Sequence, residues 1–176
     1  MTFGASRTVE EFLKVAARKR KFEVIVAEGA PSYRGRQLAV TLARLGIETI
    51  LIPDSAIFAM MARVNKVLVS THAVMANGGL IAWAGSHAVA MAAKHHSVPF
   101  VVCTGLYKLC PLYPFSQDTS NELKSPSEVM NFEECNKFFI FLEFIFLASN
   151  FEEVHVHNPT YDYIPPELVT LYVTNL

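Results

Sequence analysis

Over the first 105 residues, short β-branched runs alternate with stretches whose apolar residues recur every three or four positions. Phe22 to Ala27, Thr49 to Ile52, Lys66 to Ser70 and Pro99 to Cys103 read as strands that are apolar on both faces. Between them, Val9, Phe12, Leu13, Ala16 and Ala17 form one helical stripe. Leu38, Leu42 and Leu45 form another within Gly35 to Leu45, and Gly46 is placed to end that helix. Thr8-Val9-Glu10-Glu11 reads as a capping box for the first helix, which Arg18-Lys19-Arg20-Lys21 closes. Asp54 or Ser55 is placed to cap a short helix through Arg63, and Leu80 to Lys94 reads as an alanine-rich helix. Strands buried on both faces and separated by helices pair as parallel βαβ units. The expected fold class is therefore α/β: a Rossmann-like parallel sheet flanked by helices, in a single domain over residues 1–176.

Composition narrows the function. With 52% hydrophobic and 18% charged residues, the chain is too apolar to stay disordered. The sparse charge implies that part of its apolar surface is covered by a partner. A net charge of −1 argues against gripping nucleic acid by bulk electrostatics. No run reaches the roughly 18 apolar residues that a membrane-spanning helix needs. The opening Met-Thr-Phe-Gly-Ala-Ser-Arg lacks the layout of a signal peptide. Cys103, Cys110 and Cys135 show no CxxC spacing, which fits a reducing compartment.

After residue 105 the pattern weakens, and residues 106–134 read as an irregular loop. Phe138 to Ala148 is apolar except for Glu143, and Asn-Phe-Glu-Glu stands on both sides of it, at 131–134 and 150–153. Two readings stand: a buried strand or helix, or an anomalous apolar insert over residues 135–150 with a duplicated flank.

Isolated motifs say little about chemistry. Arg18 to Lys21 is a basic patch or a solvated helix end. His155 and His157 would share one strand face, without a third metal ligand, and His95-His96 sits at a helix end. Ala76-Asn77-Gly78-Gly79 precedes the expected fourth helix and could offer backbone amides to an anion. Neither GxGxxG nor GxxxxGK is present. Cys103 ends an apolar strand and is expected to be buried rather than nucleophilic.

Longer phrases say more: RTVEEFLKVAARKRKFEVIVAEGAP, GIETILIPDSAIFAMMARVNKVLVS, MANGG, AAKHHSVPFVV and NPTYDYIPPELVTL. Together they resemble the family that contains the alpha, beta and delta subunits of translation initiation factor 2B, with the beta branch nearest. Sugar-phosphate isomerases belong to the same family. The resemblance runs through about residues 1–116 and again 151–176, and it implies the C-terminal domain of that family. The isomerase members use a cysteine and an aspartate at the sugar, a Glu-x-Arg-Pro loop and an Asn-Lys pair. Here Glu28-Gly29-Ala30-Pro31 has Ala30 at the arginine position, His72 replaces the catalytic carboxylate, and Ala82-Trp83 replaces Asn-Lys. No cysteine precedes Cys103. Alanine cannot make the bidentate contact that arginine makes to a phosphate. Asn77 and Gly78 remain, so the resemblance implies a vestigial pocket of Glu28, Ala30, His72, Asn77, Gly78, Ala82 and Trp83 with no catalytic residue, cofactor or metal.

The resemblance implies a non-catalytic regulatory subunit of the guanine nucleotide exchange factor for translation initiation factor 2, in the cytosol. Its expected partners are the alpha, gamma, delta and epsilon subunits of factor 2B, and factor 2 through its alpha subunit, whose phosphorylation it would help sense. Neither direct nucleic-acid binding nor membrane association is expected. Candidate interface residues are Arg18, Lys19, Arg20 and Lys21, with Pro165, Pro166 and Glu167. The family's members extend beyond both ends of this sequence, so a fragment is expected. The competing readings are an isomerase with a relocated site, using His72 with Arg34 or Arg36 against phosphate, and a generic nucleotide-binding domain.

Overall fold

In the computed structural model, residues 1–114, 121–130 and 155–175 are described. The 135–150 segment lies outside them, as does Cys135. Strands β1 (Thr2–Phe3), β2 (Glu23–Ala27) and β3 (Glu48–Ile52) form one parallel sheet in the order β1-β2-β3. Strands β4 (Val67–Ser70), β7 (Phe100–Cys103) and β9 (Leu171–Val173) form a second parallel sheet in that order. Met1 joins the two. Its nitrogen donates to the Lys66 carbonyl at 2.8 Å, and Leu68 N donates to the Met1 carbonyl at 2.9 Å. That is the hydrogen-bond pattern of a parallel pair, so the order runs β3-β2-β1-β4-β7-β9. The direction of winding reverses between β1 and β4, and ligands of such sheets bind beyond the carboxyl ends of the strands at that point.

Helices cover both faces. Helices α1 (Arg7–Ala17) and α2 (Arg34–Arg44) bury Val9, Leu13, Leu38 and Leu42 against Val24 and Val26 of β2. On the other face, α3 (Ile57–Met61) and α4 (Ser86–His95) contribute Met61, Val89 and Ala93 to a larger cluster with Val67, Val69 and Phe100. The expected α/β architecture, parallel sheet and flanking helices are all present. Gly46 follows α2 with φ +76°, a left-handed ending that glycine adopts without strain. Gly35 has a different role: a Cβ there would lie 2.1 Å from the Ala27 carbonyl oxygen, so α2 starts in direct contact with the end of β2.

Five local expectations are corrected. Leu80 to Trp83 is strand β6, not the first turn of a helix, because Gly78 at φ +83° closes a hairpin onto β5 (Ala73–Val74). β6 also pairs antiparallel with β8 (Tyr161–Ile164), and the helix starts later, at Ser86. Ala76 to Gly79 is therefore a hairpin turn rather than a helix entrance. The first helix has Ser6 at its N-cap with no side-chain cap, which places Thr8 inside the helix; Glu11 pairs with Lys14 at 3.4 Å. Asp54 opens a 3-10 turn over Asp54–Ala56, and its carboxylate is turned away to another loop. Residues 155–157 are not a strand, so His155 and His157 share no strand face.

One long-range stitch positions the site. Lys124 N donates to the Asn158 carbonyl at 2.8 Å, and Thr160 N to the Glu122 carbonyl at 2.9 Å. Asn121 closes a reciprocal pair with the Tyr161 backbone, at 2.7 and 3.0 Å. Residues 121–124 are thereby fixed beside the start of β8.

Candidate functional site

The reversal of strand order puts the carboxyl end of β1 beside Trp83 of β6 and the loop that follows β2. Gly4, Ala30, Arg34, Trp83, Lys124 and Thr160 line a small cavity there. Its volume is about 30 Å³, the share that one water molecule takes in the liquid. Trp83 forms one wall of it. Opposite it in register, Tyr161 stacks on its ring at 5.5 Å between centroids, and His72 stacks on Tyr161 at 4.7 Å. The Arg34 guanidinium lies 5.0 Å from the Trp83 ring centre and the Lys124 ammonium 4.6 Å. Cations over an indole are attracted by its negative face. Both charged side chains lining the cavity are thus engaged with the tryptophan. No carboxylate, thiol or imidazole lines it among the described residues.

The loop beside the cavity is held by groups whose sequence reading gave them other roles. Asp54 accepts from Gly29 N at 2.9 Å and from Ala30 N at 2.6 Å. Glu28 pairs with Arg36 at 2.7 Å, and the Arg36 guanidinium lies 4.0 Å from the Tyr33 ring centre. Arg36 is therefore committed to protein groups. Asp162 of β8 accepts from Gly85 N at 2.7 Å and His87 N at 3.1 Å, placing a carboxylate where the α4 dipole is positive.

Of the expected pocket residues, Ala30 and Trp83 reach the cavity, and His72 joins it through the Tyr161 stack. Ala82 is fully buried on the other side of β6. Asn77 and Gly78 lie in the hairpin: Asn77 donates to the Tyr163 hydroxyl at 2.7 Å, and the Tyr172 hydroxyl donates to the Gly78 carbonyl. These contacts make them turn residues. Glu28 supports the loop without lining the cavity. Arg18 to Lys21 lie exposed after α1, whereas Pro165, Pro166 and Glu167 enter a 3-10 turn after β8. Neither group reaches the cavity.

Two ionisable groups near the strand ends are shifted by burial. The Cys103 thiol is pushed up, which keeps it protonated and unreactive. The Lys108 ammonium is pushed down, and it donates to the Thr71 carbonyl at 2.6 Å. Lys124, Tyr161 and Asp54 were not visible as site residues in the sequence. Lys124 lies in an irregular stretch, and its position comes from the stitch to Asn158.

Comparison with known proteins agrees with this architecture. The model of the initiation factor 2 subunit family matches residues 1–176. The chain is 60% identical over 176 residues to the translation initiation factor eIF2B subunit beta of Dictyostelium discoideum. It is 48% identical over 178 aligned positions to that of Schizosaccharomyces pombe. Each match covers 100% of this chain and 42% of the relative, so the chain spans about two-fifths of their length. A crystal structure of the tetrameric eIF2B-beta2-delta2 complex from C. thermophilum superimposes with a TM-score of 0.67 at 32% identity. That superposition covers 98% of this chain and 46% of the other.

Proposed function

We propose, because the chain belongs to the initiation factor 2 subunit family, that it is a non-catalytic regulatory part of the exchange factor for translation initiation factor 2. In this reading it helps assemble the exchange complex in the cytosol with the alpha, gamma, delta and epsilon subunits. It also contributes to sensing phosphorylated initiation factor 2 alpha. The observation that carries the reading is the cavity: about 30 Å³, walled on one side by Trp83, with Arg34 and Lys124 both held over that ring. Sites for small molecules run to about 300–1,000 Å³. A pentose bisphosphate cannot enter this one without displacing the indole. The lining supports the same reading: among the described residues it holds no carboxylate, thiol or imidazole, and an acid or base typically contributes about 10² to 10⁴ in rate.

The relative solved with delta subunits supplies the kind of partner. The test has two arms. Incubation with ribose 1,5-bisphosphate or methylthioribose 1-phosphate gives no conversion above background; clear turnover overturns the reading in favour of the isomerase. In an exchange complex reconstituted with this chain, phosphorylated factor 2 alpha slows GDP release, and omitting the chain removes that inhibition. Unchanged inhibition without the chain overturns the sensing role.

A further inference from the structure

A second depression, larger than the first cavity, lies at the other end of the sheet, by the amino ends of the strands. It has a volume of about 680 Å³ and runs between α1 and the turn that enters β4. Its apolar wall comes from Phe12 and Ala16 of α1, with Phe22 and Leu68. Phe12 is 39% exposed, and Val15 of the same helix 53%.

The rim has a definite charge. Arg20, Lys21, Arg63 and Lys66 stand around the groove with Glu23 as the opposing carboxylate. All four cations are exposed. The ion pairs among the described residues are Lys14 with Glu11 and Arg36 with Glu28, so none of the four is neutralised by a carboxylate. This contrasts with the first cavity, where both cations are spent on Trp83. An apolar floor inside an unpaired cationic rim is complementary to a segment with apolar side chains on one face and carboxylates beside them.

We propose that this groove docks an acidic amphipathic segment of a partner chain, with apolar side chains against Phe12 and Ala16 and carboxylates toward Arg20, Lys21, Arg63 and Lys66. The inference rests on the subunit reading only for the kind of partner, another polypeptide. It gives the basic run after α1 a definite role: Arg20 and Lys21 face the groove, whereas Arg18 and Lys19 do not line it.

The probe is a fluorescein-labelled helical peptide of roughly 14 residues with leucines on one face and glutamates beside them. A matched peptide carries lysine in place of glutamate. The full chain binds the glutamate peptide, the lysine peptide binds at least about tenfold more weakly, and raising salt from about 0.05 to about 0.3 M weakens the first. Arg63→Glu with Lys66→Glu weakens the glutamate peptide by about tenfold or more while the circular dichroism spectrum is unchanged. Equal binding of both peptides, or binding unaffected by the double charge reversal, overturns the proposal. So does self-association of the chain that the same variant abolishes, since the occupant is then a second copy. A failure here leaves the exchange-factor reading intact, because that reading is judged by assembly and GDP release.

Discussion

Asp54 accepts a hydrogen bond from the backbone N–H of Gly29 at 2.9 Å, across 25 positions of sequence, and so fixes the loop that borders the cavity. The second oxygen takes the N–H of Ala30 at 2.6 Å. Hydrogen bonds to a charged group contribute about 1.5–3 kcal/mol each when buried, and these are partly solvated. Asp54→Ala is expected to cost about 1–3 kcal/mol in urea unfolding. Asp54→Asn, which keeps one acceptor oxygen, costs less. Equal stability of wild type and Asp54→Ala would show that the loop is held by other means.

Trp83 is the single tryptophan of the chain, so its fluorescence reports on the cavity directly. Lys124→Met removes one of the two cations over the ring, an interaction of about 0.5–1 kcal/mol at a partly exposed site. The expected outcome is a shifted emission maximum and a small loss of stability. Iodide, which the neighbouring cations attract, should quench the wild type more efficiently than the variant. Identical spectra and quenching constants would place Lys124 away from the indole in solution.

Gly35 allows α2 to start against β2. A methyl group at that position would meet the Ala27 carbonyl oxygen at 2.1 Å, and backbone cannot yield as a flexible side chain can. Gly35→Ala is expected to destabilise by about 1–3 kcal/mol, the cost of overpacking, although alanine is the better helix former. Thermal unfolding decides between the two effects: a raised melting temperature would mean that helix propensity outweighs the clash.

The parallel core was legible because Val24, Val26, Val67 and Val102 sit in runs apolar on both faces, which only a covered sheet accommodates. Leu80-Ile81-Ala82-Trp83 was misread because it joins an alanine-rich helix without a break in hydropathy, and a short apolar run has no period of its own. Its strand state is set by Tyr161 to Ile164, roughly eighty residues later, which pattern along the chain cannot reveal. The site divides in the same way. Ala30 and Trp83 were found because they stand where a resembling family keeps arginine and lysine. Lys124 and Tyr161 were not, since the stitch between residues 121–124 and 158–161 exists only in three dimensions. Asp54 looked like a helix cap because its own neighbours suggest one. It turns instead to Gly29, whose free N–H is visible only once β2 and β3 lie side by side.

The most direct measurement is the composition of the complex formed when this chain is co-expressed with the delta and gamma subunits of the exchange factor and purified through a tag on delta. The account predicts that the chain co-elutes with delta in equal amount, and that Lys124→Met, made at the rim of the cavity, leaves that ratio unchanged. Delta and gamma assembling while this chain elutes alone would contradict it.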